Sequence, residues 1–587
     1  MQAFRIPDHP WKGSHMATQI AANYVLEGLV ELGMEYLFAN LGTDHVSIVE
    51  ELARWRKEGR ADLQVIICPH ENVAVHMAGG YAAVTGRGQP VLVHVDVGTA
   101  NSGNALHNLF RSRLPVFLMA GRSPYTVRGE LPASRDNYVQ FVQDPYDIAS
   151  LARPYVKWEY TLNSGVVAKE VLRRAQSMMD SDPPGPVYLT LPRETLAETL
   201  DAGKVRSFPE SRYGPVAAGG CDPATASAIA ESLLSAENPI AITSYLGRRP
   251  EAPAVLDALA RECGIAVFES HAFHVNIPRD SPCLAGFEPG HALQEADLGL
   301  LLDVDVPWLP QFTKENPRTR WLQVDVDAVK KDFPMWGFAA DLRVQGDCAK
   351  VLGQVLDIVR GRADPAFKAR VAARMKRLEA GRQKRAEGIA AAAARPGERG
   401  AISTDYLCAE LNKAIGAEDI VINEGIRNSL PIMNQIPRTR PQTMFGNGGS
   451  GLGFSGGMAL GVKLARPNQR VVQIVGDGSF HFSTPDSVYS VSQEYQLPIF
   501  TVVLDNGGWG AVKGSTLRVY PAGVAKETDN FYARLGKGRR FEQVAQAFGA
   551  HGATVSDPAE LEGAIKGCIA AVDAGQSAVL AVKVTPI

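Results

Sequence analysis

The chain of 587 residues carries 60 basic and 63 acidic side chains, a formal charge of −3, with 45% hydrophobic and 21% charged residues. That length exceeds what one hydrophobic core fills and points to about three or four globular domains. The near-neutral balance offers no footprint for nucleic acid or a membrane surface, and no segment is apolar enough to span a bilayer.

Seven cysteines, at 68, 221, 263, 283, 348, 408 and 568, lie scattered without CxxC spacing. They read as reduced thiols of a cytoplasmic protein, not as a disulfide or zinc framework. The N-terminus has no apolar run of signal-peptide length. Gly13-Ser14-His15-Met16 is a vector scar or a coincidence, and residues 1–15 stay outside the fold argument.

The first block, residues 17–200, opens with an amphipathic pattern from Ile20 to Leu32. It then alternates the short apolar runs Val65–Ile67, Val91–Val93 and Val116–Met119 with helical stretches. Such alternation predicts a parallel sheet covered on both faces. After Val65–Ile67, His70-Glu71 opens a helical run through Val73, Ala74, Met77 and Tyr81. A lone glutamate at that place is ordinarily a partner for the helix dipole.

The second block, 220–360, repeats the pattern with Ile240–Ile242, Ile265–Phe268, Leu298–Leu302 and Leu322–Val326. Residues 361–400, rich in Arg, Lys, Glu and Ala, read as a charged, solvated helix running into a linker. The third block, 401–587, completes an α/β chain of three doubly wound parallel-sheet domains.

In that third block the run Val471–Val475 breaks at Gly476-Asp477-Gly478-Ser479, and the run Ile499–Leu504 ends in Asp505-Asn506-Gly507-Gly508. Two oxygen-bearing side chains, Asp477 and Asn506, therefore follow two expected parallel strands. Oxygen ligands beside a glycine-rich turn suit Mg²⁺, which keeps substrate phosphate oxygens in its shell. The glycines let backbone N–H groups approach a phosphate, and a following helix N-terminus favours negative charge.

This two-part pattern resembles the diphosphate-binding signature of thiamine-diphosphate (ThDP) enzymes. The resemblance implies that Asp477, Asn506 and the Gly508 carbonyl hold Mg²⁺, while Gly476, Gly478 and Ser479 approach the diphosphate. The segment His70 to Ala82 is similar to the helix of acetohydroxyacid-synthase-like members whose glutamate, here Glu71, hydrogen-bonds the aminopyrimidine and so assists formation of the ylid. Val73, Ala74 and Met77 give that carboxyl apolar surroundings in which a proton is shared. Val97-Gly98-Thr99-Ala100-Asn101 corresponds to a loop near the pyrimidine, without its usual proline, and places Gly98 and Asn101 at the cofactor. Gly448 to Gly457 resembles the segment that holds the cofactor bent, with Leu452 as the apolar wedge and Ser450 offering its carbonyl.

The family pattern implies blocks that are pyrimidine-binding, central and diphosphate-binding domains. It also implies a homodimer or homotetramer with active sites at the subunit interface, one chain lending Glu71 and its neighbour Asp477. Substrate-choosing candidates are Gln140 and Gln143, His271 and His274, and Trp509 and Val512. A run of Asn137 to Gln143 without histidine separates the chain from simple pyruvate decarboxylases. Leu301 to Trp308 lacks the Gly-x-Arg that follows this strand in flavin-holding relatives, which counts against FAD.

The reaction expected is acetolactate-synthase-like: ThDP- and Mg²⁺-dependent decarboxylation of a 2-oxo acid with carboligation. A 2-hydroxyacyl-CoA lyase or oxalyl-CoA-decarboxylase-like activity on an acyl-CoA is the alternative. A non-catalytic ThDP-binding protein is a third reading, opposed by the intact Glu71, Asp477 and Asn506.

Overall fold

The structure is a computed structural model and describes residues 18–536 and 538–586; Gly13 to Met16 lie outside them. Three six-stranded sheets, all parallel, form the frame, in keeping with the α/β expectation. In space the first runs Gln64–Ile67, Tyr36–Ala39, Pro90–Val93, Phe117–Arg122, Val187–Pro192 and Glu159–Thr161. Numbered along the chain, that order is 2-1-3-4-6-5, and the last sheet, beginning with Ile420–Glu424, has the same order. The central sheet, beginning with Pro239–Thr243, is ordered 3-2-1-4-5-6, as in dinucleotide-binding folds.

The inner strands are continuous apolar runs because helices cover both faces. Val471–Val475 and Phe500–Asp505 are buried throughout. At the start of the described residues, Thr18–Ile20 pairs antiparallel with Thr199–Asp201 and ties off the first domain. The charged stretch folds as Pro365–Ala393, a helix of 29 residues capped by Asp364, with only Phe367 and Arg374 buried. Arg374 spends its guanidinium on the Cys263 and Glu237 carbonyls, at 2.7 and 3.0 Å, which ties this solvated helix to the central domain.

The first and last domains share one apolar core, in which Val73, Ala74 and Met77 pack with Phe454, Met458 and Val475. Its axis is the crossing of the helix Glu71–Thr85 with the helix Ser455–Ala465. Glycines bring the two backbones together. A Cβ on Gly80 would lie 2.2 Å from the Met458 carbonyl oxygen, and one on Gly461 only 1.9 Å from that of Met77.

Candidate active site

Asp477 and Asn506 follow neighbouring strands, Val471–Gly476 and Phe500–Asp505, paired in parallel register. Asp477 opens the helix Asp477–Phe482, where the helix dipole favours an anion. Its Oδ1 accepts from Gly478 N at 2.8 Å and its Oδ2 from Gly507 N at 3.0 Å, so both turns converge on one carboxylate. Burial pushes this carboxyl up to about 6, against the opposing pull of the Gly478 N–H and Arg539. Gly508 has φ 152° and a Cβ there would meet the Ala533 carbonyl oxygen at 2.1 Å. Asn506 Oδ1 accepts from Gly508 N at 3.1 Å, which folds the turn over its own side chain. Among the described residues no three His, Cys, Asp or Glu side chains cluster as metal ligands. The donor set is instead one carboxylate, one amide and a carbonyl, which suits a hard cation that completes its shell with phosphate oxygens.

The glycine-rich segment is held from below. Glu424, at the end of Ile420–Glu424, is 1% exposed and accepts from Gly453 N at 2.6 Å and Ser455 N at 3.0 Å, and from the Ser455 hydroxyl. Burial raises its carboxyl to about 7 even though these donors favour the charged form. Ser450 (φ 55°) and Gly453 (φ 90°) take left-handed conformations on either side of Leu452. From the first domain, Asn104 Nδ2 donates to the Leu452 carbonyl at 3.0 Å, and Asn108 Nδ2 to that of Gly451 at 3.0 Å.

Glu71 is 7% exposed at the first position of its helix, and His70 is the N-cap, its Nδ1 accepting from Asn72 N at 3.0 Å. Asn101 Nδ2 donates to Glu71 Oε2 at 3.1 Å. A Cβ on Gly98 would stand 3.2 Å from Glu71 Oε1, so glycine leaves the carboxylate its room. The segment read as a loop is a short helix, Val95–Asn101. Asn72, Asn104 and Asn108 of the first domain hydrogen-bond the carbonyls of Gly453, Leu452 and Gly451, so the Glu71 helix and the glycine-rich segment are in contact in this chain.

The substrate candidates separate. Gln140 is 3% exposed and turned into its own loop, its Oε1 accepting from Asp136 N at 2.9 Å and its Nε2 donating to Asp136 Oδ1 at 3.0 Å. These hydrogen bonds occupy the side chain in capping its own loop. His274 is 5% exposed and packs edge-on against Phe445, with centroids 5.6 Å apart, and burial drops its pKa to about 3. His271 (φ 47°) is exposed on a turn whose neighbour Phe273 offers its carbonyl to Gly446 N at 2.9 Å, at the head of the glycine-rich segment. Trp509 lies over Gly478, where a Cβ would come 2.3 Å from Nε1, and beside Phe482. Val512 is half-exposed in the following turn.

Gln143 reaches a group that sequence reading missed. Its Oε1 is 2.9 Å from His94 Nε2, while His94 Nδ1 is 2.5 Å from Asp44 Oδ1. Asp44 also faces His45 Nε2 at 3.1 Å. The Asp44 hydrogen bond holds His94 above the usual imidazole value; burial opposes ionisation of Asp44, but the His94 bond and the adjacent imidazoles keep it low. Gly42 and Gly121 make the space, since a Cβ would fall 2.0 Å from His94 Nδ1 or 1.5 Å from Asp44 Oδ2. His94 precedes the helix that carries Gly98 and Asn101, and Val95 takes an unusual φ of 27°. The available signal was a histidine directly after an apolar strand, without a visible partner.

In the central domain, the strand ends where a dinucleotide would enter are filled. Lys330 Nζ bonds Asp305 Oδ1 at 2.7 Å, Asp325 Oδ2 at 2.5 Å and Tyr245 OH at 2.9 Å. Arg113 of the first domain bonds Asp305 at 3.0 Å and stacks 4.4 Å over the Tyr245 ring. Among the described residues no helix is long and apolar enough to cross a membrane.

Residues 20–150 match the N-terminal TPP binding domain of thiamine pyrophosphate enzymes, and residues 428–582 match the C-terminal one. The chain is 24% identical over 566 residues to a benzoylformate decarboxylase of Pseudomonas aeruginosa, covering 95% of this chain and 97% of that protein. It is 23% identical over 556 residues to acetolactate synthase isozyme 3 large subunit of Escherichia coli, covering 92% and 90%. The fold superposes with a TM-score of 0.76 on a thiamine diphosphate-dependent 4-hydroxybenzoylformate decarboxylase of Rhodococcus jostii, at 19% identity over 97% of this chain and 100% of that one.

Proposed function

We propose, for a chain that belongs to the thiamine pyrophosphate enzymes, that it decarboxylates a 2-oxo acid and uses His94 to manage the proton this requires. The observation that carries the reading is the Asp44–His94–Gln143 constellation beside the helix that bears Asn101, the partner of Glu71. Carboligation to an acceptor carbonyl belongs to the same proposal as a second fate of the acyl group.

Bound ThDP supplies a nucleophilic carbon and an electron sink, and the protein supplies orientation, proton control and a dry site. Asp477, Asn506 and the Gly508 carbonyl would hold Mg²⁺. The backbone at Gly476, Gly478 and Ser479 would face the diphosphate. Glu71 would hold a proton at the aminopyrimidine, with Asn101 fixing the carboxylate and Gly98 leaving it room. Leu452 would support the bent cofactor, its backbone position set by Glu424 and Asn104. His94, donating from Nδ1 to Asp44, would present a second proton at Nε2 as the imidazolium, and Gln143 Oε1 would accept that N–H until substrate takes its place. Flavin is left out of the reading, because buried ion pairs fill the strand ends of the central domain.

The full chain, loaded with ThDP and Mg²⁺, is to be offered pyruvate, benzoylformate and longer 2-oxo acids while released CO₂ is measured. CO₂ from one of them supports the reading. Silence on all, with cleavage of a 2-hydroxyacyl-CoA ester, would move the function to the lyase alternative.

A further inference from the structure

The cradle assigned to the metal contains a cation of the protein's own. Arg539 precedes the helix Phe541–Gln546, and its Nη2 lies 3.1 Å from Asp477 Oδ2 and 3.2 Å from Asp505 Oδ1. These carboxylates are 1% and 4% exposed, so water screens the pairing little. Lys583 also pairs with Asp505, on the other carboxylate oxygen. Asp477 has no cationic side chain besides Arg539 among the described residues.

The other two guanidinium nitrogens, Nε and Nη1, are buried and have no hydrogen-bond partner among the described residues. Buried charged donors left unpaired are costly, and a diphosphate is the kind of ligand that takes them up. The stretch carrying Arg539 is also registered on the metal turn. Trp509 N donates to the Ala533 carbonyl at 2.8 Å and Leu535 N to that of Gly507 at 3.0 Å. Aqueous Mg²⁺ dehydrates reluctantly and ordinarily needs phosphate oxygens besides one or two carboxylates. A guanidinium already on Asp477 opposes the bare ion further.

Resting on the ThDP reading of this site, we propose that Arg539 is a loading residue. It neutralises Asp477 and Asp505 against a bare divalent cation, and yields Asp477 to Mg²⁺ when a diphosphate takes up its unpaired nitrogens. The order of loading is then written into the site: cation and diphosphate enter together.

The test is calorimetric titration of the full chain with Mg²⁺ alone and with ThDP in saturating Mg²⁺. Arg539→Met is expected to bind Mg²⁺ alone at least tenfold more tightly than wild type, and ThDP at least tenfold more weakly. Mg²⁺ binding no tighter than wild type, or an unchanged ThDP affinity, overturns the proposal. If Arg539→Met does not fold, Arg539→Lys decides: it keeps a point charge but loses the fork, so weak Mg²⁺ binding with weakened ThDP supports the proposal, and unweakened ThDP overturns it. Wild type that binds no ThDP in Mg²⁺ would instead remove the cofactor reading on which the proposal rests.

Discussion

The Asp44 carboxylate and the His94 imidazole stand 2.5 Å apart at the ends of two strands, Tyr36–Ala39 and Pro90–Val93, that pair in parallel. The carboxylate accepts from Nδ1 and keeps one proton there, so the outward Nε2 carries a proton only in the imidazolium, a form that the shared hydrogen bond favours by raising the imidazole pKa. Removing His94 as Gln should therefore lower kcat by about 10²- to 10⁴-fold while ThDP affinity stays near wild type. The sign of the pH effect follows from the raised pKa. If imidazolium is the working form, kcat falls as pH rises through that value, and Asp44→Asn moves the fall to lower pH. A kcat–pH profile of the loaded enzyme checks both.

Glu424 gives a stability prediction with a defined pH window. Its folded pKa is about 7 against an ordinary 4.5, so stability is fully present below 4.5 and is lost as pH rises through 7. The loss is about 3 kcal/mol as an upper estimate. Glu424→Gln has no such titration, but its amide group faces either Gly453 N–H or Ser455 N–H and leaves one unpaired, costing about 1–3 kcal/mol. Thermal melting at pH 5 should show the variant less stable, and the gap should shrink by pH 8.

The glycine crossing of the two central helices is tested by Gly461→Ala. A methyl 1.9 Å from the Met77 carbonyl oxygen cannot be accommodated by a side-chain turn, so the helices must separate. A destabilisation of about 1–3 kcal/mol follows, and Glu71 and Leu452 are displaced relative to each other. A lower melting temperature together with weakened ThDP binding is expected; a variant that melts and binds as wild type would contradict the crossing.

Lys330→Met leaves Asp305 and Asp325 buried beside a single cation, Arg113. Breaking a buried pair in this way costs about 3–5 kcal/mol, because an uncompensated charge remains. Urea unfolding should show the loss, and adding Asp325→Asn should recover part of it. Neither protein should retain flavin, which absorbance of the purified chain reads directly.

The turns proposed to hold the cofactor could be picked out because they are local. Asp477 and Gly478 share one strand-to-helix turn, Asn506 and Gly508 share another, and each turn follows an apolar strand. The helix start at Glu71 was local in the same way, while the role expected of its carboxyl came from the resemblance of the segment His70 to Ala82 to a family helix. The substrate side was not legible in this way. Gln140 and Gln143 differ by three positions, yet one caps its own loop and the other reaches His94. His274, by its residue type a candidate base, is core against Phe445.

By itself the sequence determined three α/β blocks, two glycine-rich turns that each follow an apolar strand, and a glutamate at the start of a helix, because short-range backbone chemistry and strand periodicity encode them. Tertiary structure alone decided which distant groups meet. Asp44 finds His94 only because their strands are neighbours in the sheet, and Arg539 finds Asp477 only because its stretch pairs with the turn at Gly507 to Trp509. The helices Glu71–Thr85 and Ser455–Ala465 cross closely where glycine removes the side chains that would hold them apart. Each of these depends on strand order and close packing, which carry no signature at any fixed spacing along the chain.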